Sequence, residues 1–349
     1  MAWSASIVVA AVLQSKQTES ELVSITTGKS SPVVWGEAFM ANPIRLGMID
    51  FDTSHAVEFT KRLNQLQTTP DQFVDGAKIS FACPGSSRMA QSRIAEYTPA
   101  IKAMGVTLVD TPGDLLGKVD GMLIESLEGE MHLEKARPFL EAGIPCFIDK
   151  PFSGSVDTAK AIFELSAKHN APVFSSSSLR FVPELVQICR SNTPSGAAVG
   201  AFSHGPSPFH EPPKGEPQRN PGLYHYGIHP VEVLYTIMGK GCVEVVNLRT
   251  PGADMATGRW KDGRTATIRG IRQGVAPYGC TRFGMKGADS LTLSTKYIYR
   301  ELLKQVVAFF RDRKSPVDPQ ETLEIMAFIE AANQSGDNHG RVQPLAPLS

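Results

Sequence analysis

Nothing in this sequence carries a strong charge of one sign, pairs its cysteines or runs apolar for long. Lys+Arg and Asp+Glu balance at 35 each. No cluster of basic residues interrupts that balance, so the field that draws a protein to nucleic acid or an anionic membrane is missing. The five cysteines (Cys83, Cys146, Cys189, Cys242, Cys280) are odd in number and never spaced C-x-x-C. That argues against a disulfide framework or a zinc ribbon and fits a reducing compartment. Cys83 and Cys146 lie inside apolar runs and read as small buried hydrophobes. No stretch reaches the roughly 18–20 apolar residues of a membrane-crossing helix. The short run Ser6–Leu13 has no Lys or Arg before it. A cytoplasmic protein is expected, with export through that run as the alternative. Residues 1–43 read as an extension, disordered or mis-started, because Met40-Ala41-Asn42-Pro43 directly precedes the first strong strand.

What is present is an ordinary globular composition, 42% hydrophobic and 20% charged, over 349 residues, a length that favours two domains. From Ile44 strand-like and helix-like segments alternate. Ile44–Ile49, Lys78–Cys83, Thr107–Val109, Gly121–Ile124, Pro145–Ile148 and Val173–Ser175 read as strands. His55–Leu66, Arg88–Met104, Glu130–Ala142 and Val156–His169 read as helices, the third stopped by Gly143. This alternation predicts an α/β fold, with a Rossmann-type parallel-sheet domain over 44–172. Beyond it, Val243–Leu248, Thr265–Ile271, Gly279–Lys286 and Ser290–Ser294 look like a strand meander, with helices at Ile298–Arg311 and Glu321–Gln334. An α+β domain over 173–349, with a mostly antiparallel open sheet, is the expectation. Ser203–Pro221, rich in Pro, Gly and His, reads as a long loop beside a ligand pocket.

Three places carry candidate chemistry. The turn after the first strand, Gly47-Met48-Ile49-Asp50-Phe51-Asp52-Thr53-Ser54-His55, has Asp50, Asp52 and His55 where a dinucleotide fold carries the glycines of G-x-G-x-x-G. Asp52, Thr53 or Ser54 is also suited to cap the next helix. The second place is Asp149-Lys150-Pro151, at the end of an apolar strand, where ligands of open α/β sheets bind. A lysine there can stabilise a developing alkoxide or move a proton. The third is Tyr224-His225-Tyr226-Gly227-Ile228-His229-Pro230-Val231-Glu232. On a helix His225 and His229 would share a face close to Glu232, which suits a base with an orienting partner or two metal ligands. Two histidines alone do not define a metal site, and none is assigned.

Taken in order, these places resemble the glucose–fructose oxidoreductase / inositol dehydrogenase / rhizopine-catabolism (Gfo/Idh/MocA) family. Asp149-Lys150-Pro151 resembles its E-K-P motif, Gly227-Ile228-His229 with Glu232 its G-x-H-x-x-D segment, and Gln334-Ser335-Gly336 before Arg341-Val342 its closing segment. The resemblance implies NAD(P)-dependent hydride transfer at a carbon of a sugar, polyol or related hydroxy compound. Lys150 and His229 would then be catalytic, with His225 beside them. It places cofactor contacts at Phe51, Asp52, Thr53, Ser54, His55, Ser86, Arg88, Glu125 and Lys150. Ser86 and Arg88, standing where an Asp or Glu would bond a ribose hydroxyl, lean towards NADP. The expected partners are a carbohydrate-like small molecule and further copies of the chain, as a dimer or tetramer. A non-redox enzyme on the same scaffold is the alternative: a lyase, hydrolase or isomerase acting on a keto-sugar, with a metal ion held by some of Asp50, Asp52, His55, Glu125, His225, His229 and Glu232. A catalytically silent relative is the other.

Overall fold

The computed structural model describes residues 42–212 and 214–348, so the predicted extension falls almost wholly outside it. Six short apolar runs form one sheet: β1 (Ile44–Ile49), β2 (Ala77–Cys83), β3 (Thr107–Leu108), β4 (Gly121–Ile124), β5 (Cys146–Ile148) and β6 (Val173–Phe174). All pairs are parallel, in the order β3-β2-β1-β4-β5-β6. The order reverses between β1 and β4, which opens a crevice at the carboxyl ends of these two strands.

The connecting helices are α1 (Ser54–Leu63), α2 (Gln91–Ala103), α3 (His132–Glu141) and α4 (Val156–Lys168). Because both faces of the sheet are covered, its strands are apolar without alternation. Ala56 and Phe59 of α1 and Ile101 of α2 pack with Leu46 and Met48 on one face. Phe139 of α3 and Ile162 of α4 pack with Ile49 and Met122 on the other. Gly143 takes φ +75° just past α3, as its stop-signal reading requires. α2 starts later than predicted, at Gln91, after an irregular turn in which the Ser87 hydroxyl accepts from the Met89 and Ala90 amides.

The second half holds α5 (Pro183–Ile188), β7 (Ala198–Pro206), α6 (Ile228–Met238), β8 (Cys242–Thr250), β9 (Ala253–Trp260), β10 (Thr265–Ile271), β11 (Gly279–Gly284), β12 (Ala288–Thr292), α7 (Ile298–Asp312), α8 (Pro319–Asp337) and β13 (Gln343–Pro344). Its seven strands run β12-β11-β7-β10-β9-β8-β13, antiparallel except where β7 meets β10. Two expectations needed correction. The loop predicted over Ser203–Pro221 begins inside β7, and β9 had no counterpart in the sequence reading. The inward residues of β9 include Ala256 and Gly258, too small to mark an apolar face. They are small because α8 lies close: a Cβ on Gly258 would sit 2.8 Å from Phe328.

Helices α6 and α8 cover one face of this sheet, burying Tyr235, Trp260 and Phe328. The other face is open, with Leu248 64% exposed and Phe283 45%. α7 turns back to the first sheet, where Leu302, Val306 and Phe309 complete the layer over β1. No helix among the described residues is long and apolar enough to cross a membrane.

Candidate active site

Parallel pairing aligns Ile49 with Ile124, and Ile124 with Ile148. Each is the last residue of its strand, so the next residues, Asp50, Glu125 and Asp149, form one row at the carboxyl edge of the sheet. All three are buried.

The two carboxylates that stand in the glycine positions of this turn are spent elsewhere. Asp50, at φ +65°, adopts the left-handed conformation a glycine would bring to this turn. Its carboxylate accepts from Ser126 Oγ and, at 3.1 Å, from Lys135 Nζ. Gly85 must be a glycine beside it, since at φ +69° a Cβ would meet Asp50 Oδ1 at 1.9 Å. Asp52 accepts from Ser87 Oγ at 2.6 Å and from the Leu127 amide at 3.0 Å. Burial outweighs these bonds and lifts Asp52 to about 6. Thr53 caps α1, its hydroxyl accepting from the His55 amide.

Beneath this turn Glu125 and Asp149 lie side by side with no exposed surface. His55 Nδ1 stands 3.0 Å from Asp149 Oδ2 and 3.9 Å from Glu125 Oε2. Burial, reinforced by the Asp149 charge, pushes Glu125 well above the carboxylate range. Burial also works to raise Asp149, but the positive charge of His55 and Lys150 outweighs it and holds that group low. The His55 ring stacks on Phe59 at 4.9 Å and meets the edge of Tyr299, from α7, at 5.0 Å.

Above this floor opens a cavity of about 350 Å³, whose wall includes Thr53, Ser54, His55, Lys150 and His229. Tyr226, Tyr278 and Tyr299 add three aromatic surfaces. The Lys150 ammonium lies 5.4 Å from the centre of the Tyr226 ring. His229 Nδ1 is 2.7 Å from Ser177 Oγ. Burial, then the charges of Lys150 and His55, push His229 well below its ordinary value.

The predicted partnership of His225, His229 and Glu232 does not form as drawn. α6 begins at Ile228, so His225 precedes the helix and shares no face with His229. His225 sits edge-on to Tyr226 and near His210, outside the wall of the main cavity. Burial, with the Lys150 charge next, lowers it to about 4. Glu232 accepts from the Ser177 amide at 3.0 Å and pairs with Arg180 at 2.7 Å, so it reaches His229 only through Ser177.

The other predicted contacts are scattered. Phe51 turns its ring into the core, and Glu125 lies below the floor. Asp52, Ser86 and Arg88 line a separate cavity of about 140 Å³, with Arg88 bound by both oxygens of Glu128. Sequence reasoning quoted Asp149 and Tyr226 within motifs but gave no role to either, nor to Tyr278 and Tyr299. A carboxylate directly after each of three apolar strands was the available signal for Asp149. Nothing local marks Tyr299, more than two hundred residues from the turn it packs on.

These residues fit a dinucleotide at one point. The first amides of a helix lack intrahelical partners and attract anions, and Thr53 and Ser54 bring that end of α1 into the cavity wall.

No protein-family model and no curated protein sequence matches the chain. Solved structures do. Myo-inositol dehydrogenase from Corynebacterium glutamicum superposes with TM-score 0.68 at 16% identity, covering 87% of this chain and 99% of its own. Myo-inositol 2-dehydrogenase from Lactobacillus plantarum gives 0.69 at 15%, over 87% and 100%. An oxidoreductase from Agrobacterium radiobacter, solved with NAD+, L-tartaric acid and magnesium, gives 0.66 at 15%, over 86% and 98%. At such identities the shared property is the fold, a parallel sheet joined to a mostly antiparallel one.

Proposed function

We propose that this chain is a nicotinamide-dinucleotide-dependent oxidoreductase that interconverts a secondary alcohol of a sugar, polyol or related hydroxy compound with its ketone. The observation that carries this reading is that Lys150 and His229 line the same cavity, at the carboxyl ends of the parallel strands. The dinucleotide supplies the hydride acceptor. His229 is neutral because burial opposes its protonated form. In the tautomer that donates from Nδ1 to Ser177 Oγ, its Nε2 is left to take the hydroxyl proton. Lys150 stabilises the negative charge that builds on the same oxygen. Glu232 positions Ser177 through the backbone amide, and Arg180 holds Glu232. The tyrosines suit a substrate with apolar C–H faces between hydroxyls. The structural neighbours that are inositol dehydrogenases support the substrate class.

Of the two dinucleotides we infer NAD, against the lean towards NADP drawn from Ser86 and Arg88, because the guanidinium of Arg88 is already taken by Glu128 and a 2′-phosphate would meet that carboxylate. We also place homo-oligomer contacts on the open face of the second sheet, around Leu248 and Phe283.

Titration of the protein into NADH, followed by nicotinamide fluorescence, should show saturable binding. Absence of binding at millimolar cofactor ends the reading. With a polyol substrate in hand, Lys150→Ala and His229→Ala should each lower kcat by about 10²–10⁴. Because His229 titrates below its ordinary range, kcat/KM should not begin to fall near pH 6.5 on the acid side.

A further inference from the structure

Below the cavity floor both oxygens of Glu125 are buried without a hydrogen-bond partner, while Oδ2 of Asp149 and Nδ1 of His55 have only each other, at 3.0 Å and outside hydrogen-bond alignment. Buried polar groups are almost always bonded, and two adjacent buried carboxylates need a proton or a cation between them. Lys150 does not supply it by contact. Its ammonium lies over Tyr226, and the Asp149 and Glu125 carboxylates have only His55 within ion-pair distance among the described residues.

One ligand atom from each of the three residues lies within 4.8 Å of the others. Bonds of about 2.1 Å around a tetrahedral ion place its ligand atoms ~3.4 Å apart. The observed 3.0 and 3.9 Å lie on either side of that spacing.

We propose that His55, Glu125 and Asp149 bind one divalent transition-metal ion, of the zinc or manganese kind, beneath the cavity floor. An imidazole nitrogen with two carboxylate oxygens is a donor set for such ions. The ion meets the Glu125 carboxylate, which has no bonded partner, and adds to the partial offset that His55 gives Asp149. The second oxygen of Glu125 is free to complete the shell. Glu125 and Asp149 are wholly buried and absent from the cavity wall, so the role is structural. The ion ties the ends of β4 and β5 to the first turn of α1, which fixes His55 and the backbone that leads into Lys150.

The test is metal uptake by the full chain, and it is independent of turnover and of any cofactor. Protein stripped with a chelator is dialysed against Zn²⁺ or Mn²⁺ and its metal counted. The expected result is about one equivalent per chain, with a rise in Tm that EDTA reverses. Glu125→Gln and His55→Ala should each abolish stoichiometric uptake. Should either variant fail to fold, Co²⁺ loading of the wild type gives a second readout, visible d–d absorption with at least one nitrogen ligand. A wild type that takes up no metal, or uptake that survives both substitutions, overturns the proposal.

Discussion

Two clusters of buried carboxylates lie within this chain, and they are satisfied in opposite ways. Glu232 is met by the Ser177 amide and by the guanidinium of Arg180, which it shares with Glu321 at 2.6 Å. Glu125 has no bonded partner at all. The first cluster is a closed set of opposite charges on elements that side chains bridge. The second is a by-product of topology, since three parallel strands ending in register put their next side chains in one row. A closed set holds a neighbour in position, as Ser177 is held under His229. An open set asks for something from outside.

The comparison can be broken first at Arg180. Arg180→Met removes the cation of the closed cluster and leaves Glu232 buried, with the half-buried Glu321 beside it, and no opposite charge. We expect a loss of about 3–5 kcal/mol in denaturant unfolding. A change within error would mean that the cluster is not held by charge. Asp52 sharpens the comparison as an intermediate case, bonded only to neutral donors. Its folded value of about 6 lies above the unfolded 3.8. Its contribution to stability is therefore complete below pH 4 and is lost as the pH rises through 6. Asp52→Asn should flatten that slope, gaining up to ~3 kcal/mol over the wild type at neutral pH. Parallel stability curves between pH 4 and 7 would refute this. The smallest effect is expected at the uncharged end of the same edge. Thr53→Ala removes the α1 cap and should cost about 1 kcal/mol, independent of pH.

Much of the architecture was legible because parallel strands buried on both faces announce themselves as unbroken apolar runs, as in Met48-Ile49 or Phe147-Ile148. Lys150 and His229 could be picked out because each adjoins a local marker: a strand end in one case, a helix-starting Pro230 in the other. His225 was misplaced because a spacing of four implies a shared face only inside a helix, and the helix starts three residues later. β9 was invisible because close packing by α8 selects small side chains, which erase the alternation. The unmet Glu125 could not be foreseen from one strand alone, since its isolation depends on the register of its neighbour.

α7 supplies part of the layer over β1 from more than two hundred residues downstream. Its consequence concerns the order of events during synthesis. While the ribosome is still making the second half, Leu46, Met48 and Phe59 have one side uncovered, so the early segment emerges adhesive and unfinished. Folding must wait on a contact of very long sequence separation, which slows it. A fragment ending near residue 180 should therefore aggregate rather than form an independent nucleotide-binding module.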